Sequence, residues 1–227
     1  MNGVHLVIFD CDGTLVDSQH VIHAAMAEAF GSEGLVAPER ERVRTVVGLQ
    51  LDAAIARLAP DLAPSLVAAL AERYKAAFFA LRERPDPHER EPLFPGMAAL
   101  VEALAGDGIL LGVATGKSLR GLGHTLAMHG LDRYFVTLQT PDTSPGKPHP
   151  GMVLQAMAET GAAPRATVVV GDTSFDMEMA SAAGVAGLGV AWGYHGQDEL
   201  RSAGARAVAA DGAVLAALID ASLGRGP

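Results

Sequence analysis

The chain has 227 residues, 49% of them hydrophobic and 19% charged, and 17 Lys+Arg against 26 Asp+Glu give a net charge of -9. These proportions suit one or two folded domains and exclude a disordered tail, a collagen-like chain or a disulfide-stapled miniature. The acidic balance opposes a polyphosphate backbone, so no nucleic-acid partner is expected, whereas a small anion at one local site remains compatible with it.

Val4 to Phe9 opens the chain as a short apolar run ended by Asp10. No basic leader precedes it, and no stretch reaches the roughly 18 apolar residues of a spanning helix, so neither secretion nor a membrane partner is expected. Cys11, the single cysteine, cannot form an internal disulfide, which points to a reducing, cytoplasmic home.

From Ser18 to Arg84 the chain is rich in Ala, Leu, Arg and Glu, offers no strand, and carries helix-period runs such as Leu66 to Leu81. Residues 17–93 are therefore expected to form a helical insertion, ending in the Pro-rich charged linker Arg84 to Pro92. Beyond it, strand and helix alternate. Strands are expected at Ile109–Ala114, Tyr134–Leu138, Thr167–Val170, Val185–Ala191 and Ala205–Ala209, with helices at Met97–Ala105, Leu119–His129, Met152–Thr160, Phe175–Ala183 and Ala213–Leu223. Such alternation predicts an α/β fold: a Rossmann-like parallel sheet with helices on both faces, built from residues 1–16 and 94–227.

The chemistry gathers at the ends of these strands. Asp10-Cys11-Asp12-Gly13-Thr14 places two carboxylates, a glycine and a hydroxyl after a buried strand, a costly arrangement unless a cation or hydrogen bonds meet them. The plainer account is a turn cornered at Asp12-Gly13. Gly171-Asp172-Thr173-Ser174-Phe175-Asp176 follows the fourth strand, and taken alone it too reads as a turn and a helix cap. If strands one and four are neighbours, Asp10, Asp12, Asp172 and Asp176 converge, and hard oxygens so gathered call for a hard cation such as Mg²⁺. No His or Cys spacing suggests zinc.

Thr115-Gly116-Lys117 runs from a strand into a helix start, where a hydroxyl and unpaired N–H groups could hold phosphate oxygens. Lys147, in Gly146-Lys147-Pro148-His149-Pro150, is one of only three lysines, with Lys75 and Lys117. Cys11 has no histidine partner in sequence reach, Met26, Met177 and Met179 read as core fillers, and His149 reads equally as structural or as a site residue.

Taken in order, Asp-x-Asp-Gly-Thr, Thr-Gly, Lys-Pro and Gly-Asp-x-x-x-Asp resemble the haloacid dehalogenase superfamily, in particular its phosphatases with a helical cap inserted after the first strand. The motifs cover Asp10 to Asp176. The resemblance implies that Asp10 is the nucleophile, that Asp12 protonates the leaving alkoxide and then activates water, and that Thr115 and Lys147 bind the transferring phosphoryl group. It implies Mg²⁺ on Asp10, Asp172 and the Asp12 carbonyl, with Asp176 in support of the metal or of Lys147. Asp12 argues against a dehalogenase, which acts on carbon and lacks an acid there.

Thr115-Gly116-Lys117 is similar to the Thr-Asn-Lys of phosphoglycolate phosphatase-like members, with Gly116 replacing Asn, and Trp192-Gly193-Tyr194 to their Gly-Tyr segment. Gly116, Lys117, Gly48 and Gln50 are the expected substrate contacts, the last two on a cap loop that closes over the site. The implied reaction is hydrolysis of a small phosphate ester by a monomer or homodimer. The alternatives are a β-phosphoglucomutase-like mutase, weakened by Leu51 where a phosphate-gripping arginine is expected, and a receiver-like phospho-aspartate domain, which would be shorter, would lack the insertion and is opposed by an Asp12 placed to hydrolyse the intermediate.

Overall fold

In β1 (Leu6–Phe9) every residue is apolar and fully buried, and the period-two alternation of a strand sends its side chains to two different cores. Val7 and Phe9 join one cluster with Met97, Val101 and Leu215; Leu6 and Ile8 join another with Met152, Val153 and Met179. A strand buried on both faces must be covered by helices on both, and the computed structural model, which describes residues 3–82 and 91–225, has that architecture.

Six parallel strands, β1, β2 (Leu110–Ala114), β3 (Phe135–Gln139), β4 (Thr167–Gly171), β5 (Ala186–Val190) and β6 (Ala207–Ala209), lie in the order β3-β2-β1-β4-β5-β6. Each strand expected from sequence is present, with its ends moved by one or two residues. Helices α5 (Met97–Gly106), α6 (Leu119–Met128), α7 (Gly151–Thr160), α8 (Ser174–Ala182), α9 (Gln197–Ser202) and α10 (Gly212–Ser222) connect them. Only α9, six residues long, had no counterpart in the sequence pattern, being too short to show a period.

The chain winds outward from β1 to β3, then returns to pair β4 with the other edge of β1, Phe9 opposite Val170. That reversal splays the loops after β1 and β4 apart and opens a crevice at the carboxyl ends of the strands.

The insertion contains α1 (Gln19–Ser32), α2 (Arg40–Arg44), α3 (Leu51–Leu58) and α4 (Pro64–Arg82). Its apolar side chains, among them Met26, Phe30, Ile55, Leu70 and Phe78, form a cluster of their own to which Tyr194 of the sheet domain is added. Val16 and Leu93 pair antiparallel where the chain leaves and returns. Most of the Arg84 to Pro92 linker lies outside the described residues. No helix among the described residues is long and apolar enough to cross a membrane.

Phe9 sits at the centre of the sheet, its ring edge-on to Phe135 at 6.4 Å. Phe9→Ala should lower the unfolding free energy by about 3–5 kcal/mol, measured by chemical denaturation; a loss under about 1 kcal/mol would contradict this core assignment.

Candidate active site

Four loops leave the carboxyl edge of the sheet and bring the four sequence motifs together. Asp10 follows β1, Thr115 follows β2, Lys147 lies in the loop between β3 and α7, and Asp172 follows β4, and all four are buried. Lys147 Nζ lies 2.8 Å from Asp10 Oδ1 and 2.6 Å from Asp176 Oδ1, so one ammonium bridges the two carboxylates. Carboxylate oxygens of Asp10, Asp172 and Asp176 all lie within 4.8 Å of one another.

Each member is oriented by its neighbours. Asp10 Oδ1 accepts the Cys11 N–H at 2.6 Å, Asp172 accepts Thr14 Oγ1 at 2.8 Å and the Tyr194 N–H at 2.9 Å, and Asp176 Oδ2 accepts the N–H and hydroxyl of Thr173. Thr173 and Asp176 form a capping box, which fixes Asp176 to the first turn of α8. The cap of α8 is Thr173. Glycines make the space: a Cβ on Gly13, whose φ is +84°, or on Gly193 would collide with Asp172, and one on Gly171 with Asp176.

Burial is the largest influence on these carboxyls. It pushes Asp10 up to about 7 against the pull of Lys147, with Asp176 adding repulsion, and it raises Asp172 with help from Asp10 and Asp176. Lys147 is held well above its ordinary range, because Asp10 and Asp176 outweigh the cost of its burial. Three carboxylates therefore face one ammonium, and Asp10 Oδ2 is buried with no hydrogen bond from the described residues. Hard oxygens in excess of positive charge, with one oxygen atom unused, are a donor set that fits a divalent hard cation.

Asp12 departs from the cluster. Its carboxylate turns toward the insertion, where it accepts the Ser18 hydroxyl and pairs with Lys117 Nζ at 2.7 Å. Only its main-chain carbonyl is left for the metal role that the resemblance implied. Asp176, expected in a supporting place, orients Lys147 and also belongs to the acidic group.

Lys117, expected to contact substrate, is buried between Asp12 and Glu91, 3.2 Å from the latter, with the Phe78 ring 4.8 Å away. Thr115 Oγ1 accepts the Lys117 N–H at 3.3 Å, leaving the hydroxyl hydrogen free to donate. The loop Gly48 to Gln50 of the insertion lies against two loops of the sheet edge. A Cβ on Gly116 would come 2.6 Å from the Leu49 carbonyl, and one on Gly146 3.1 Å from the Gln50 Cβ, so Gly48 to Gln50 rests on both loops. His149 serves its own helix, its Nδ1 accepting the Gly151 N–H. Cys11 is buried, and that burial raises its thiol far above the range of a nucleophile.

Glu91 and Arg82 carry no mark in the sequence pattern. Arg82, the last residue of α4, forms a two-pronged pair with Glu91 and reaches the Thr125 hydroxyl of α6. Both sit where charged surface is the usual expectation, and a linker of mixed charges and prolines carries no burial period that could expose them.

With fold and site in place, comparison with known proteins fixes the class. The model of the haloacid dehalogenase-like hydrolases matches residues 7–190, and the chain belongs to that family. Within it the chain is a phosphoric monoester hydrolase. It is 38% identical over 200 residues to the probable phosphatase IndB of Dickeya dadantii, spanning 87% of this chain and 86% of that protein. It is 30% identical over 196 residues to a phosphoglycolate phosphatase of Photorhabdus laumondii, at 86% and 83% coverage. A hydrolase crystal structure from Pseudomonas syringae superposes with a TM-score of 0.84 at 27% identity, covering 96% of this chain and 98% of that one.

Burial pushes the Glu91 carboxyl up, but Lys117 and Arg82 overrule it and hold it near 2, against a usual 4.5. A carboxyl depressed on folding stabilises above its unfolded value, and that stability is lost as pH falls through the folded one. Glu91→Gln should therefore cost about 3 kcal/mol at neutral pH and flatten the acid limb of stability between pH 4.5 and 2. Urea midpoints measured across that range would show it; parallel limbs in variant and wild type would refute it.

Proposed function

We propose that the chain hydrolyses a small organic phosphate monoester through a covalent phosphoaspartyl intermediate on Asp10, with Mg²⁺ held by Asp10, Asp172 and the Asp12 carbonyl. The observation that carries this reading is the buried convergence of Asp10, Lys147, Asp172 and Asp176 at the point where the strand order reverses. Bound there, Mg²⁺ would neutralise charge on the phosphoryl oxygens.

An Asp10 carboxylate oxygen attacks phosphorus, forming an O–P bond as the bond to the substrate's alcohol oxygen breaks. Asp12, which takes up a proton and releases its pairing with Lys117 as substrate binds, gives that proton to the departing alkoxide. It then takes a proton from water, whose oxygen attacks phosphorus and releases inorganic phosphate and the Asp10 carboxylate. Thr115 donates its hydroxyl hydrogen to a phosphoryl oxygen. Lys147 offsets the negative charge of the substrate beside that of Asp10, and Asp176 keeps the ammonium in place.

Residues 17–93 act as a cap that turns about Val16 to Ser18 and Leu93 to Gly96. The separate apolar cluster of the insertion and its paired crossing at Val16 and Leu93 support this division. Closure brings Gly48 to Gln50 against Gly116 and Gly146 and excludes bulk water while phosphoryl transfer proceeds.

A sugar-phosphate mutase must hold a second phosphate. Lys117 is already committed to Asp12 and Glu91, and Leu51 occupies the place expected of a gripping arginine, which favours hydrolysis. Phosphoglycolate, named for several relatives, is the reference substrate.

Purified protein with Mg²⁺ should release inorganic phosphate from a panel of phosphate monoesters, and EDTA or Asp10→Asn should abolish release. Asp12→Ala should slow turnover by about 10²–10⁴-fold, and the covalent phosphate should accumulate on Asp10, seen by mass spectrometry. Release that survives Asp10→Asn would overturn the mechanism.

A further inference from the structure

Resting on the phosphatase reading above, we propose that the natural substrate is the phosphate ester of an alcohol bearing an uncharged, largely apolar group, about the size of a substituted ring, rather than a small carboxylated ester such as phosphoglycolate. The leaving alkoxide must lie against Asp12, which protonates it. The space beside Asp12 is therefore where the organic part of the substrate goes.

That space is a cavity of about 200 Å³ between the sheet domain and the cap. Asp12, Gly116 and Lys117 line its inner end, and Met26, Val46, Leu49, Tyr74, Phe78 and Phe79 line its cap side. Aromatic and aliphatic walls of this kind gain free energy from apolar surface removed from water. Gln50, Ser118 and the Tyr74 hydroxyl add polar groups without charge.

The charges decide the class. Among the described residues that line the cavity, Lys75 and Lys117 are the cations and Asp12, Asp52 and Asp142 the anions. Lys117 is taken by Asp12 at 2.7 Å and Glu91 at 3.2 Å. Lys75 pairs with Glu72 at 2.7 Å and is half exposed. A carboxylate brought here would meet an apolar wall with no unpaired cation among those residues, and a buried, unpaired charge is expensive. Glycolate would also leave most of the cavity unfilled. A neutral apolar group meets neither penalty.

The test compares esters of aliphatic alcohols of similar acidity, so that leaving-group reactivity does not set the order. With Mg²⁺ added, kcat/KM is measured for 2-phenylethyl phosphate, hexyl phosphate, glycerol 3-phosphate and phosphoglycolate. The expected result is a preference for 2-phenylethyl phosphate over phosphoglycolate of at least about tenfold, expressed mainly in KM. Phe79→Ala, which removes ring area without adding charge, should raise KM for 2-phenylethyl phosphate by about tenfold with a smaller effect on kcat. Leu49→Arg, which supplies an unpaired cation, should shift the preference toward phosphoglycolate by about tenfold or more. A wild-type preference for phosphoglycolate would overturn the inference while leaving the phosphatase reading intact. Absence of phosphate release from all four esters would overturn that reading, and the inference with it.

Discussion

The structure turns on a small volume in which three carboxylates, Asp10, Asp172 and Asp176, share the ammonium of Lys147 out of reach of bulk water. Charges so confined repel strongly, and every neighbouring choice of residue reads as a response. Glycines at 13, 171 and 193 let the backbone approach carboxylates that any side chain would displace. Main-chain N–H groups of Cys11 and Tyr194 and the hydroxyl of Thr14 supply hydrogen bonds that water would otherwise make. The cost is stored where it is useful, since an arrangement still short of positive charge is one that a divalent cation can complete.

A second buried polar group stands apart from the first and faces the cap. Asp12, Lys117, Glu91 and Arg82 alternate in sign, and Arg82 continues to Thr125. Through it, the residue proposed as acid and base is linked to the last turn of α4 and to the segment by which the chain re-enters the sheet domain. Buried pairs of this kind add little net stability compared with apolar packing, but breaking one member strands the others. Their value here lies in position: the Asp12 carboxylate points toward the cap and its cavity, away from the carboxylates of the other three.

Much of this was legible in the sequence, for a physical reason. Parallel strands covered on both faces must be apolar throughout, so Val7 to Phe9 and Val168 to Val170 announce themselves as unbroken runs, and the loops of the candidate site follow such runs. Asp10 and Asp172 were singled out because polar residues directly after a buried strand have few structural reasons to be there, and Lys147 because lysine is so rare in this chain. Glu91 and Arg82 were not, because their burial comes from a contact between segments distant in sequence or separated by a linker without period. The partner of Lys117 was equally hidden, since spacing places a lysine near a crevice but does not say which anion it meets. The apolar lining of the cap cavity escaped for another reason: helical periodicity marks one buried face, and Met26 and Phe78 serve that face and the cavity wall together.

The two halves of the site thus obey opposite solvation rules. Around Asp10 the protein supplies fixed dipoles and charge to several ionisable groups at once, so the arrangement demands particular residues at particular strand ends and those residues are visible as motifs. On the cap side of Asp12 the lining is mostly aliphatic and aromatic, and there shape and apolar area set the character of the chamber. Gly116 joins the halves: with no side chain, it lets the Leu49 carbonyl settle against the loop that follows β2, so that the apolar chamber and the polar site share one wall. A Cβ there would come 2.6 Å from the Leu49 carbonyl and push the two loops apart, which is why the position matters although glycine itself contributes no chemistry.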